Sequence, residues 1–211
     1  MPRTRVVVYV DYQNVQYCAR DMFWPVVPAP PRTAGHVDPL KLGNLLCSLG
    51  RPGDPNRVLA GVRVYRGQPI AGRSREKARR FYDRQVSSWR QAPGVEVFTR
   101  PLRYHRAKNP DGTEYWAARE KGVDVLMALD ISIGARSDLF DVAVIASADT
   151  DLIPALEDAL RVSKRIETAA WGSPGNSSGP LRVKDRNLWN HYLNQTHFDL
   201  VRDDTDYLTA S

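Results

Sequence analysis

Apolar and polar positions alternate along the chain in a pattern that predicts strands and helices in turn. Short apolar runs rich in β-branched residues are typical of buried strands and lie at 5–10, 57–65, 94–99, 141–146 and 165–170. Segments with helical spacing of apolar residues lie at 12–19, 38–49, 74–90, 122–134 and 150–161. This alternation of strands and helices along the chain predicts an α/β fold, namely a three-layer α/β/α sandwich with a central, mainly parallel sheet.

Three segments depart from the regular alternation. The prolines at 24–37 predict a Pro-rich insertion, and the basic, aromatic stretch at 100–119 predicts a β-hairpin or loop. Beyond the last regular strand we expect a helix at 181–194 and an edge strand at 197–201. The chain 1–211 is expected to form a single domain that carries these additions.

The most unusual polar positions follow the apolar run at 141–146. Ser147 ends this predicted strand, and two carboxylates, Asp149 and Asp151, stand two residues apart immediately after it. Like charges placed this close to a buried strand repel each other, and a low dielectric strengthens the repulsion. Because a divalent cation relieves such repulsion, the turn indicates a metal site.

Two further acids are expected at the same edge of the sheet. Asp11 follows the first strand as Asp149 follows the fourth, and the carboxyl ends of parallel strands meet at one edge. Asp124 begins the helix that leads down into the fourth strand, so it starts near that edge. Carboxylates that converge at one rim suit Mg²⁺ or Mn²⁺, because these hard ions prefer oxygen ligands.

Each of these acids, taken alone, also has a structural explanation. An Asp that follows a strand, as Asp11 and Asp149 do, is often a turn former or a helix N-cap. Asp124 and Asp151 would then only complement a helix dipole. Asp130, six residues beyond Asp124, is expected on another, solvated side of its helix. The shared position of the acids, rather than any one of them, predicts the metal site.

Composition and charge narrow the function classes. Hydrophobic residues make up 42% and charged residues 26%, as in soluble globular proteins, and no apolar run approaches the roughly 20 residues that span a bilayer. The net charge is +6, and positive charge is concentrated in the middle of the chain. Cations interleaved with aromatic residues at 100–119 favour binding of single-stranded nucleic acid, and a hairpin packed on the sheet is the alternative. The two isolated cysteines are expected to be reduced, which predicts a cytoplasmic location.

Three motifs together resemble a known family. In this order and spacing, V-Y-V-D-Y-Q-N at 8–14, K-G-V-D-V at 121–125 and S-A-D-T-D-L at 147–152 resemble the NYN domain, a branch of the PIN-like nuclease superfamily. The resemblance implies a PIN-like fold and metal-dependent ribonuclease activity, with Mg²⁺ or Mn²⁺ as cofactor. The residues that it implies as metal ligands and catalytic groups are Asp11, Asp124, Asp149 and Asp151.

Five further residues are expected to bind substrate or support the site. Asn14 matches the asparagine of the first motif, where it would position an Asp side chain or a phosphate. The alternative is that it only makes a hydrogen bond at the start of a helix. Lys121 would contact the scissile phosphate, with a solvated lysine as the alternative. Ser147 opens the last motif and is expected to hold the turn. Arg103 and Arg106 would bind the phosphates of the nucleic acid.

These observations predict an endoribonuclease that hydrolyses phosphodiester bonds of single-stranded or structured RNA. An RNA-binding regulatory module with weak or no nuclease activity is the alternative. A phosphatase is a third hypothesis, since Asp149 and Asp151 form a D-x-D, although that motif follows the first strand in haloacid-type phosphohydrolases. We expect RNA as the partner and no membrane, and we leave open a homodimer or a regulatory protein partner.

Overall fold

A computed structural model describes residues 3–24, 34–54, 56–173, 176–177 and 179–209. Most of the Pro-rich insertion predicted at 24–37 therefore lies outside the described residues. The strands are β1 Thr4–Asp11, β2 Arg57–Gln68, β3 Val95–Pro101, β4 Arg103–Lys108, β5 Glu114–Arg119, β6 Val142–Ala146, β7 Arg165–Ser173, β8 Asn176–Ser177 and β9 Trp189–Leu193. The helices are α1 Tyr12–Phe23, α2 Pro39–Ser48, α3 Glu76–Gln91, α4 Val123–Arg136, α5 Ile153–Arg161 and α6 Gln195–Val201, and a 3₁₀ turn covers Thr150–Leu152.

The central sheet is parallel, which confirms the predicted fold class. Its strands run in the order β3-β2-β1-β6-β7-β9, and the short β8 pairs antiparallel to β7. Strand β1 therefore lies in the middle, between β2 and β6. The basic stretch forms a separate antiparallel pair of β4 and β5, in which Arg103 pairs with Arg119.

Alternation along the buried strands divides the core into two halves. In β1, Val6, Val8 and Val10 pack with α1, α2, α3 and α6 on one face of the sheet. Val7 and Tyr9 point to the other face and pack with α4 and α5. Both faces of the sheet are therefore covered by helices, as apolar strands without polar alternation require. None of the helices in the described part of the chain is long and apolar enough to cross a lipid bilayer.

The C-terminal region differs from the prediction. The expected helix at 181–194 is instead an irregular segment followed by β9, and the expected strand at 197–201 is helix α6. Pairing of β9 with the edge of β7 provides backbone hydrogen bonds that a local sequence pattern does not reveal. Helix α6 begins at Asn194, whose side chain accepts from the backbone N–H of His197, while His197 bonds back to the Asn194 backbone N–H.

Candidate metal centre

The first and last motifs meet because β1 and β6 are neighbouring parallel strands. Val10 pairs with Ala146, so Asp11 and Ser147 follow side by side at the carboxyl edge. The Ser147 hydroxyl donates to Asp11 Oδ2 at 2.9 Å. The same hydroxyl oxygen accepts from the Asp149 backbone N–H at 3.0 Å. Ser147 is buried, and it therefore fixes two of the predicted site acids relative to each other.

Asn14 makes a second connection between the two motifs. Its side-chain oxygen accepts from the backbone N–H of Ala148 at 3.0 Å, which ties helix α1 to the turn after β6. Its own backbone N–H donates to Asp11 Oδ1 at 3.4 Å, so Asp11 also caps α1. Asn14 thus makes two hydrogen bonds at once: its backbone bonds to Asp11 at the start of α1, and its side chain bonds to Ala148 in the last motif.

The turn after β6 presents its two acids in a fixed arrangement. Asp149 caps the 3₁₀ turn, because its Oδ1 accepts from the Asp151 backbone N–H at 3.0 Å. Asp124 reaches the same place from the first turn of α4, after Gly122 with φ 74°. One carboxylate oxygen each from Asp124, Asp149 and Asp151 lies within 4.8 Å of the other two. This grouping has the size and the oxygen chemistry of a divalent-cation site.

A cavity of about 250 Å³ lies beside this cluster. Its lining residues are Asp11, Arg119, Glu120, Lys121, Gly122, Val123, Asp124 and Asp149. Asp11 therefore faces the same space as the cluster without belonging to the group of three carboxylates. Among the residues that the structure describes, no lysine or arginine forms an ion pair with any of the four predicted acids.

The pKa of Asp11 reflects this lack of an ion pair. Burial is the largest influence and raises the pKa of Asp11 to about 7, and the charges of Glu120 and Asp149 act in the same direction. The hydrogen bond from Ser147 opposes them only in part. The fold therefore holds a carboxylate where negative charge is costly, and a bound cation would remove that cost.

Glu120 is a fourth acid that lines the cavity, beside Asp11, Asp124 and Asp149, and the sequence analysis missed it. Its Oε1 accepts a hydrogen bond from the backbone N–H of Gly67, at the end of β2. With its side-chain nitrogen turned toward Glu120, the Gln13 amide donates to both carboxylate oxygens at 2.7 and 2.8 Å. Burial raises the pKa of Glu120, and the charge of Asp124 adds to this effect. The available signal was its position directly before Lys121, at the start of the second motif.

The structure places the predicted cationic residues in two different positions. Lys121 lines the acidic cavity together with Arg119. Arg103 and Arg106 lie on the exposed strand β4, outside the cavity lining. Arg106 pairs with Glu114 at 2.7 Å and lies over the ring of Trp116, 5.5 Å from its centre.

Asp130 differs from its predicted solvated position. Arg63 Nε donates to Asp130 Oδ2 at 2.6 Å, and the Tyr65 hydroxyl donates to the same oxygen. The Asp130 side chain is only 19% exposed. It holds α4 against β2 and lies outside the acidic cluster.

Comparison with known proteins agrees with the three motifs. A model of the NYN domain family matches residues 5–188. The chain belongs to the NYN domain family. The matched span contains β1, α4 and the turn after β6, which supply the four predicted acids of this NYN domain. The family lies within the PIN-like nuclease superfamily, and this member holds a cluster of three aspartates.

The chain is also similar to one solved structure, a crystal structure of a protein of unknown function from Vibrio parahaemolyticus. The two chains are 18% identical, and the similarity covers 97% of this chain and 95% of the other, with a TM-score of 0.48. No curated protein matched the chain.

Proposed function

We propose that this NYN domain is a divalent-metal-dependent endoribonuclease. One observation carries the proposal: Asp124, Asp149 and Asp151 bring carboxylate oxygens within 4.8 Å of one another, beside a cavity that Asp11 also lines. Like charges are held together there without a neutralising ion pair among the described residues. Membership of a PIN-like nuclease family supports phosphodiester hydrolysis as the reaction.

The donor set fits Mg²⁺ or Mn²⁺. Three carboxylates that approach from two elements provide hard oxygen ligands, with no cysteine or histidine among them. Asp124, Asp149 and Asp151 would hold the ion, with Asp11 as a direct or water-bridged fourth ligand. When bound, such an ion neutralises charge that develops on the phosphate and activates the attacking water.

The protein's own residues would position the substrate around this centre. Lys121 and Arg119 line the cavity and would bind the phosphate group that enters it. Ser147 and Asn14 would act through the acids, because their hydrogen bonds set the orientation of Asp11 and of the turn that carries Asp149. Such fixed placement is what lets charged groups contribute to catalysis without rearrangement.

The hairpin of β4 and β5 supports RNA as the substrate. The Arg73 guanidinium lies 3.8 Å from the centre of the Trp116 ring, and Arg106 lies on the same ring. Tyr115, on the same strand, is 47% exposed. Exposed aromatic rings beside cations suit unpaired bases and their phosphates. Arg103 pairs with Arg119, so the hairpin joins this surface to the rim of the acidic cavity.

The experiment is a cleavage assay on a labelled single-stranded RNA with Mg²⁺ or Mn²⁺. We expect internal cuts, loss of cutting in EDTA, and loss in Asp149→Asn, which keeps the capping acceptor but removes the charge. The matched control is Asp199→Asn, on the exposed face of α6, which should cut like the wild type. Equal activity of wild type and of the Asp11→Asn and Asp149→Asn variants would end the proposal.

The same preparation separates the two other hypotheses. A regulatory RNA-binding module would bind RNA with an affinity that falls with salt and would give no products, even with Mn²⁺. A phosphatase would turn over p-nitrophenyl phosphate. The pair Asp149 and Asp151 follows β6 rather than β1, and this position favours the nuclease.

A further inference from the structure

A second, larger cavity opens next to the acidic one. It has a volume of about 670 Å³ and lies between α1, α3 and the carboxyl end of β2. This volume falls within the range of about 300–1,000 Å³ typical of small-molecule sites. Glu120 lines both cavities, so the larger one adjoins the acidic cavity at this side chain. A ligand that entered both would place adjacent chemical groups on either side of Glu120.

Arg66 forms the floor of this larger cavity. Its guanidinium lies 4.5 Å from the ring centre of Tyr82 and 4.8 Å from that of Tyr12. One terminal nitrogen donates to Gln85 at 2.7 Å. Its Nε is buried and has no hydrogen-bond partner within the described ranges, and no ion pair to it occurs there. Because Arg66 lines the cavity, its positive charge lies beside any ligand that enters there.

The floor is held rigid by a network of side chains. The Tyr12 hydroxyl lies 2.9 Å from His36 Nδ1, and Gln85 Nε2 lies 3.3 Å from both of these atoms. Gln16 Nε2 lies 3.2 Å from the other nitrogen of His36. Because these groups bond to one another, the cavity is formed before any ligand arrives.

The walls combine flat rings with charge. Phe81 lines the cavity from α3, and Tyr17 lines it from α1 with 42% of its surface exposed. Tyr82 also lines it, but this ring is 3% exposed and is covered by Arg66. Arg75 and Lys77, both exposed, stand at its rim. Rings stack on the faces of nucleobases, a guanidinium donates to base acceptors, and rim cations bind phosphate. An acyl chain or a simple anion would use only one of these features.

We propose that this aromatic pocket receives the base of the nucleotide next to the scissile phosphate. The inference rests on the proposed nuclease function, because the acidic cluster beyond Glu120 defines where the phosphate lies. The base would stack among the rings of α1 and α3, and Arg66 would donate to an acceptor on its edge. The pocket would thereby fix the position of the cut along the RNA.

Binding of mononucleotides tests the pocket without any need for cleavage. The probes are the four nucleoside 5′-monophosphates, with ribose 5-phosphate as the probe that lacks a base, titrated into the full chain in EDTA. Calorimetry measures the affinity, and tryptophan fluorescence gives a second readout, because the ring centre of Trp89 lies 5.2 Å from Arg66. We expect at least one nucleotide to bind about tenfold or more tightly than ribose 5-phosphate, as stacking of one base provides.

Two matched variants on α3 locate the binding. Ala78 lines the pocket and is exposed, so Ala78→Trp should fill the mouth without disturbing the core and weaken nucleotide binding at least tenfold. Ser87→Trp places the same ring on an exposed position about 13 Å further along the helix, outside this pocket, and should leave binding unchanged. Circular dichroism melts verify that both variants fold.

An RNA that carries one abasic residue, moved step by step past the cut, tests the pocket in the reaction. We expect cleavage to fall at a single position beside the cut, and Ala78→Trp to remove this position dependence. Equal binding of ribose 5-phosphate, or unchanged nucleotide binding by Ala78→Trp, would overturn the pocket. Nucleotide binding without RNA cleavage would refute only the nuclease function. If cleavage occurs and neither Ala78→Trp nor an abasic residue changes it, only the pocket is refuted.

Discussion

The two ends of the parallel sheet both hold acidic side chains away from water, but only one end supplies its own cations. At the amino end, Arg57 donates to both oxygens of Glu167 at 2.7 and 2.9 Å, and His191 lies 2.7 Å from the same carboxylate. At the carboxyl end, Asp11 has a hydroxyl and a backbone N–H as partners and other acids as neighbours.

The pKa values move in opposite directions at these two ends. Burial raises the pKa of Glu167, but the hydrogen bonds from His191 and Arg57 outweigh it and lower that pKa to about 2. Burial raises the pKa of Asp11 to about 7, and no cation offsets it. A buried acid with internal cations stabilises the fold, whereas the acidic cluster has no ion-pair partner among the described residues. This difference, rather than burial alone, is why we propose the metal site at the carboxyl end of the sheet.

The largest expected effect comes from removing the charge of Glu167 at the amino end of the sheet. Glu167→Gln leaves Arg57, whose side chain is 4% exposed, without its main counter-charge. We expect the free energy of unfolding to fall by about 3–5 kcal/mol in denaturant titrations. Adding Arg57→Met should recover part of that loss, because the unpaired buried charge is then gone.

The control for this prediction is Glu157→Gln. Glu157 pairs with Arg161 on the surface of α5 at 3.8 Å, and losing an exposed pair costs at most about 0.5 kcal/mol. If Glu167→Gln were no more costly than Glu157→Gln, the amino-end network would not stabilise the protein.

The second prediction concerns metal binding to the acidic cluster at the carboxyl end of the sheet. Mg²⁺ or Mn²⁺ at 100 times its dissociation constant should raise the free energy of unfolding by about 2.7 kcal/mol. Asp124→Asn should remove most of this gain, because it withdraws one of the three clustered carboxylates. Glu167 variants that remain folded should keep the full gain. Equal stabilisation of wild type and Asp124→Asn by the metal would place the ion elsewhere.

The third prediction is that the two ends respond to pH with opposite sign. Asp11 titrates near 4 when unfolded and near 7 when folded, so without metal its contribution is present below pH 4 and is lost as pH rises to 7. Glu167 contributes above about pH 4.5, and its contribution is lost as pH falls toward 2. Since one pKa unit corresponds to about 1.4 kcal/mol, we expect each change to be on the order of 3 kcal/mol.

Unfolding free energies measured across this pH range in EDTA check the assignment. Asp11→Asn should flatten the fall between pH 4 and 7, and saturating divalent cation should do the same in the wild type. Glu167→Gln should flatten only the loss of stability between about pH 4.5 and pH 2. A wild-type slope that persisted in Asp11→Asn would show that another group causes it.

The smallest expected effect concerns the hydroxyl that orders the acidic end. Ser147→Ala removes the hydrogen bonds to Asp11 and from the Asp149 backbone, so we expect RNA cleavage to fall about tenfold, as for other residues that orient metal ligands. Ser137→Ala is the control, because its exposed hydroxyl bonds only to the Ile133 carbonyl at the end of α4. Cleavage by Ser147→Ala at the wild-type rate would mean that Asp11 and Asp149 hold their positions without it.

The sequence could predict the parts of this comparison that depend on local pattern. Apolar runs without polar alternation identified the central strands, and parallel strands place their carboxyl ends at one edge. That rule was enough to expect Asp11 at the same edge of the sheet as the turn that carries Asp149. Their connection through Ser147 joins residues 136 positions apart and follows from the β1–β6 pairing, which the strand pattern does not specify.

The sequence could not predict features that long-range contacts decide. Glu120 acquires its place from the Gly67 N–H, 53 residues away, and its position next to the second motif is the one local signal that sets it apart from a solvated acid. Asp130, on helix α4, was expected to be solvated because its partners, Arg63 and Tyr65, lie on β2, far away in sequence. The C-terminal strand β9 forms because the edge of β7 accepts it, so the helical pattern at 181–194 was overruled by pairing.

The position of β6 in the sheet also bears on how the protein is made. A ribosome releases β1 and its neighbour β2 early, yet β6 can pair with β1 only after residues 12–141, which lie between them, have emerged. Until then Asp11 stands alone at the sheet edge, and the loop that must close between the paired ends spans 136 residues. The nascent chain therefore carries no complete acidic cluster while its own messenger RNA is still being translated through these codons.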